Sequence, residues 1–172
     1  QRPFVWEAVR VRDLMDSLYK GYPIGYIILW RNPDTKLKNG GVSKGKRILI
    51  DGQQRTIALK AAILGDEVVD SNYAKKTIQI SFNPLEERFE VLNPAIAKNS
   101  AWIDDISKVF ASDFNLFSFT MNYCKANGIT GKEAEVSQKI TKLIAVKGVN
   151  IGITELDSNL DIDEVTEIFI RI

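Results

Sequence analysis

The sequence predicts an α+β fold: a small mixed sheet flanked by helices, with a helical insertion from about Asn93 to Lys147. Three observations predict it. Helical spacing and strand alternation occur interleaved along one chain instead of in separate blocks. Hydrophobic residues make up 45% of the 172 positions and charged residues 26%, enough apolar material for a core without disulfides or a structural metal. Between two β-like regions lies a long aromatic-rich stretch with helical periodicity, which marks the insertion.

Taken in order, Val11, Leu14, Met15 and Leu18 fall on one face of an amphipathic helix, and Gly21 supplies its stop. Pro23 opens an extended run from Ile24 to Trp30, rich in β-formers. Residues 31–46 turn polar, with an Asn39-Gly40-Gly41 turn signal. Arg47 to Ile50 reads as a short buried strand, Asp51 as a helix cap, and Ile57 to Leu64 as a helix apolar nearly all round, ended by Gly65. Ile78, Ile80 and Phe82, then Phe89 and Val91, alternate around Asn83-Pro84 as a hairpin. Trp102–Phe110 and Phe114–Tyr123 are helix-like. Asn127-Gly128 breaks the pattern, Thr130 with Glu133 reads as a capping box, and Val136, Ile140, Leu143 and Ile144 continue at helical spacing. Val149, Ile151 and Ile153 predict a final strand returning to the same sheet, and a last helix starts near Asp161. One domain with a helical insertion, truncated at both ends, is the expected organisation.

Composition excludes several chemistries. The chain has no histidine, so His-based acid–base catalysis, Ser-His-Asp triads and His-metal nuclease centres are absent from it. Its one cysteine, Cys124, permits no internal disulfide and fits a reducing, cytoplasmic setting. Lys and Arg number 23 against 22 Asp and Glu, so any electrostatic argument must be local. No apolar run reaches the roughly 18 residues of a membrane span.

The informative stretch is Asp51-Gly52-Gln53-Gln54-Arg55-Thr56, between a strand and a helix. A helix start leaves about four backbone N–H groups without intrahelical partners, at the positive end of the dipole, which suits phosphate. Gly52 allows close approach, Gln53 and Gln54 add amides, Arg55 adds a guanidinium fork, and Asp51 suits Mg²⁺ or a water. A purely structural turn explains an N-cap aspartate equally well. The clustering of four hydrogen-bonding side chains at the mouth of an apolar unit favours a ligand.

Three ordered motifs resemble a known family. Gln1-Arg2-Pro3-Phe4-Val5-Trp6 is similar to the opening of GmrSD N-terminal domains, Asp16 to Gly25 looks like their Pro-Ile-Gly segment, and Asp51 to Arg55 matches their DGQQR signature letter for letter. Ile168 to Ile172 resembles the stretch before a further family motif. The family resembles ParB-type domains, whose strand–turn–helix signature binds nucleotide phosphates, and sulfiredoxin, whose chemistry requires a cysteine in the turn that this sequence lacks. The resemblance implies binding and Mg²⁺-dependent hydrolysis of a nucleoside triphosphate, phage defence by restriction of modified DNA, and cutting by a separate histidine-based HNH-type nuclease domain. It implies Asp51, Gln53, Gln54 and Arg55 as catalytic residues, with Asp51 on the metal. Gly52, Thr56, Gln1 and Arg2 would join them around the phosphates, although a frayed terminus explains Gln1 and Arg2 equally well. A non-hydrolysing nucleotide or DNA sensor is the second reading, and a scaffold with a structural turn the third. Oligomers are compatible with either.

Other clusters read more plainly. Lys36, Lys38, Lys44, Lys46 and Arg47 form a basic stretch that is first a solvated loop and second a grip on a nucleic-acid backbone. Asp157, Asp161, Asp163, Glu164 and Glu167 fit no calcium loop and read as capping. Cys124, among Phe119, Met121 and Tyr123, reads as packing.

Overall fold

Apolar residues on one side of Ala8–Tyr19 form the expected first helix, α1, with Val11, Leu14, Met15, Leu18 and Tyr19 buried. Its end is a Schellman turn: Tyr22 N–H donates to Ser17 O at 2.8 Å and Gly21 N–H to Leu18 O at 3.1 Å. Gly21 takes φ +73, which an L side chain resists. The computed structural model describes residues 3–31 and 47–171. Gln1, Arg2, Lys36, Lys38, Lys44 and Lys46 lie outside the described residues, as does the polar stretch from 32 to 46.

The chain forms two compact units, Gln1–Pro23 with Gln54–Val149, and Ile24–Gln53 with Asn150–Ile172. In the first, α1 packs on a hairpin of β5 (Ile80–Asn83) and β6 (Arg88–Val91), after a short pair, β3 (Val68–Val69) and β4 (Lys75–Lys76). Tyr19, Phe82 and Phe89 meet with ring centroids 4.7–5.5 Å apart, offset and tilted as the ring quadrupoles prefer. All four residues of β5 are buried, so alternation fails there. The polar ones are satisfied: Ser81 Oγ donates to Asp104 O, and Asn83 Oδ1 accepts from Leu85 and Glu86 N–H. Helices α3 (Leu116–Ala126) and α4 (Glu133–Ile144) pack together, burying Cys124, Val136, Ile140 and Leu143.

The second unit is a three-stranded mixed sheet in the order β2 (Arg47–Asp51), β1 (Ile27–Arg31), β7 (Ile153–Leu156), followed by α5 (Ile162–Arg171). β1 runs antiparallel to β2 and parallel to β7, pairing Ile27 with Ile153 and Trp30 with Leu156. The late strand thus does return to the sheet of β1 and β2. Trp30 is buried, and its indole N–H donates to Asp157 O at 3.2 Å.

Several expectations are corrected. The helix expected over Trp102–Phe110 is a 3₁₀ turn confined to Ile106–Phe110, because Ile103 pairs both backbone groups with Phe82 at 2.8 and 2.9 Å. Thr130 and Glu133 form no capping box. Glu133 is the first helical residue, and its carboxylate accepts from Gly131 N–H at 2.9 and 3.1 Å. The last strand begins at Ile153 where it was expected to end, since Ala145–Gly148 continues helix α4 as a 3₁₀ turn that holds Val149 N–H. β1 begins at Ile27, not Ile24.

Candidate functional site

The polar turn is built by a defect in β2. Leu29 pairs with Leu49 and Trp30 with Ile48, but Ile28 pairs with Asp51, so Ile50 is one residue more than β1 has partners for. Such a bulge changes which face the following side chain takes, and bulges commonly re-aim residues beside functional sites. Asp51 therefore closes the strand in place of Ile50. The residue before the helix is Gly52, which corrects the reading of Asp51 as the position preceding it. Gly52 is buried and takes φ +94, a left-handed conformation that lets the chain swing from strand to helix in one step.

Helix α2 (Gln53–Leu64) then starts four residues earlier than the apolar pattern indicated, so Gln53, Gln54, Arg55 and Thr56 are its first turn. It packs through small residues, Ala58, Ala61 and Ala62, while Leu64 is exposed. Asp51, Gln53, Gln54, Arg55 and Thr56 are all half-buried. A carboxylate at the end of the strand is thus followed by two amides, a guanidinium and a hydroxyl on the first turn of a three-turn helix, at its positive end.

Gln54 has a specific partner. Its amide nitrogen donates to Pro3 O at 3.0 Å and its amide oxygen accepts from Val5 N–H at 2.9 Å. One side chain thereby holds the backbone of the N-terminal strip as a neighbouring strand would. The strip is fixed again at Phe4, which is buried and whose N–H donates to Val69 O at 2.7 Å. Two cations stand over its rings: the Arg10 guanidinium lies 4.7 Å from the Trp6 centroid and Lys76 Nζ 5.9 Å from that of Phe4. The amino-terminal motif and the DGQQR motif are therefore joined in space through residues 3, 5 and 54.

Arg47, the one described member of the basic stretch, is paired. Its Nε donates to Glu155 Oε1 at 2.6 Å, and Arg31 reaches Glu155 Oε2 at 2.9 Å. Hydrogen bonds from Arg31 and then Arg47 hold the Glu155 carboxyl below the usual range. Asp161 caps α5: its carboxylate accepts from Asp163 and Glu164 N–H while Glu164 reaches back to Asp161 N–H, a true capping box. Within the acidic run Asp161 and Glu164 do the capping, while Glu167 pairs with Arg171 and Asp157 accepts from Asn159 N–H. Among the described residues no three His, Cys, Asp or Glu side chains gather as a metal site.

Sequence reasoning missed a charged cluster around Glu87, which lines a cleft of about 600 Å³. Glu87 takes φ +49 and binds the Tyr19 hydroxyl at 2.7 Å, Lys142 at 3.1 Å and Lys139. Hydrogen bonds from Lys139, then Tyr19, bring its pKa down to about 2, and burial followed by the bond to Glu87 pushes the Tyr19 phenol up. Every cation lining the cleft has a carboxylate partner, so the cluster is neutralised internally. Its only sequence signal was the spacing of Lys139 and Lys142 on one helix face.

Compared with known protein families, residues 1–172, the whole chain, match the family described as GmrSD restriction endonuclease, N-terminal domain. A comparison with curated proteins gives no match.

Proposed function

The chain belongs to the GmrSD restriction endonuclease N-terminal domain family, and from that premise we propose that its Asp51–Arg55 turn binds a nucleoside triphosphate with Mg²⁺ and hydrolyses it. Turnover would license DNA cleavage by a histidine-based HNH-type nuclease domain, since this chain carries no histidine of its own. The observation that carries the reading is the bulge at Ile50 followed by Gly52 at φ +94, which delivers an acid, an amide and a guanidinium in succession at a helix start.

Arg55 and the helix dipole would hold the phosphates and stabilise charge that develops on them in the transition state. Magnesium is commonly held by one or two carboxylates together with substrate phosphates. A single hard carboxylate in the turn, Asp51, fits an ion that arrives with the nucleotide. The ion would supply charge neutralisation at the phosphates. Gln53 would orient the attacking water, while the Gln54 amide holds Pro3 and Val5.

The test is a thermal-shift titration with ATP, GTP, CTP and UTP, with and without Mg²⁺, beside Arg55→Ala. A ligand binding only the folded state adds RT ln(1 + [L]/Kd), about 2.7 kcal/mol at a hundredfold excess over Kd. A nucleotide-selective shift that disappears in Arg55→Ala is expected. Asp51→Ala should lower phosphate release by the full-length protein about 10²-fold or more. Unchanged release in both variants would sink the assignment. Saturable binding without any release would instead make the domain a nucleotide sensor.

A further inference from the structure

We propose that Trp6, backed by Arg10, is the stacking surface for the base of the nucleotide, and that Gln54 is the positioning residue that puts it there. This rests on the phosphate reading of the turn and extends it to the other end of the ligand. The residues it uses, Pro3–Arg10 and Gln54–Thr56, lie within one unit of the chain.

Gln54 belongs to the helix turn of Arg55, and its two hydrogen bonds fix the strip at residues 3 and 5. From the Gln54 amide oxygen to the Cα of Trp6 the separation is at most roughly 8 Å, made up of the 2.9 Å hydrogen bond to Val5 N–H and then the backbone from Val5 N to the Trp6 Cα, with 3.8 Å between consecutive Cα atoms. An extended nucleoside triphosphate is longer than this separation, so a ligand with its phosphates at the helix start is long enough for its base to reach Trp6. Trp6 is half-buried, as a platform with one supported face would be. Arg10 is exposed, stands 4.7 Å over the ring, and makes no ion pair among the described residues. Elsewhere in this unit Arg12, Lys20 and Arg88 are each matched by a carboxylate. An aromatic ring carrying an unneutralised guanidinium is the surface on which bases stack, because every base presents a π face.

Gln54 meets no base in this scheme. Its carboxamide suits the task because one head offers a donor to Pro3 O and an acceptor to Val5 N–H, which neither a carboxylate nor an ammonium does.

The experiment uses protein labelled with 5-fluorotryptophan, whose three ¹⁹F lines (Trp6, Trp30, Trp102) are assigned by the loss of one in Trp6→Phe. Titration with Mg²⁺ and the nucleotide that gives the largest thermal shift should move the Trp6 line. Inorganic tripolyphosphate, which has no base, should leave that line in place. Trp6→Ala should raise the Kd for the nucleotide about tenfold or more, leave that for tripolyphosphate unchanged, and be rescued by Trp6→Phe. Gln54→Ala and Gln54→Glu should show the same selective loss.

Equal weakening of nucleotide and tripolyphosphate in Trp6→Ala would overturn the stacking role. A Trp6 line that stays still while the nucleotide binds would do the same. If Gln54→Ala weakens tripolyphosphate as much as nucleotide, Gln54 is a phosphate ligand and the positioning role is lost. If wild-type protein binds neither molecule, the phosphate reading itself fails, an outcome distinct from the others.

Discussion

Glu87 shows how a single residue holds an unfavourable backbone. A non-glycine residue in the left-handed region costs about 1 kcal/mol or more, yet Glu87 sits there at φ +49 on the tip of the β5–β6 hairpin. Its contacts with Lys139, Lys142 and Tyr19 offset that cost. Because its folded pKa is depressed from 4.5 to about 2, the stability it contributes is present above pH 4.5 and is lost as pH falls toward 2. After allowance for solvent screening this amounts to about 1–2 kcal/mol. Glu87→Gln should therefore lower the stability measured by urea unfolding at pH 7 by about that much, and its loss of stability between pH 4.5 and 2 should be shallower than wild type. Identical pH profiles would show that Glu87 contributes no proton-linked stability. At this scale the candidate turn was readable, since Asp51 to Arg55 stand together in sequence. The Gln54 contact was not, because nothing local to residue 54 announces a partner at residues 3 and 5.

Elements follow the same division. α1 was readable because its buried side chains recur with helical period and Gly21 marks its stop. The hairpin of β5 and β6 was readable from Asn83-Pro84 between β-forming runs. Ile106–Phe110 was misread as part of a longer helix because a cross-chain bridge at Ile103 competes with helical propensity and wins. The bulge at Ile50 was equally hidden: it is a mismatch between two strands, and one strand's sequence does not contain it. Capping boxes divide likewise, with Asp161–Glu164 forming and Thr130–Glu133 not, since Gly131 at φ +96 keeps the chain out of the helix until Glu133. Asp161→Ala removes the acceptor for two N–H groups of α5 and should cost about 1 kcal/mol of helix stability. Faster amide exchange at Asp163 and Glu164 would report it, and unchanged protection there would contradict the capping role.

At the scale of the whole molecule the two units differ in what they bury. The first contains the Tyr19–Phe82–Phe89 cluster and the α3–α4 packing, with many side chains wholly enclosed. The second buries Ile28, Trp30 and Val165 among its described residues, while Tyr26, Ile153, Ile162 and Ile170 are more than half exposed. Local stability follows buried apolar contact. Hydrogen exchange should therefore show weaker protection in β1, β2 and β7 than in β5, β6 and α4. Protection of β1 equal to that of β5 would refute that ranking.

The parallel pairing of β1 with β7 also sets a timetable for synthesis. β1 and β2 leave the ribosome early, whereas β7 follows only after residues 54–149 have been made. Domains tend to form as translation proceeds from the amino terminus, so the larger unit has the material to condense first. Meanwhile the nascent β1 has one edge without its strand, the kind of edge that recruits other chains. A ribosome stalled before Ile153 thus leaves the β7 side of β1 open to other chains.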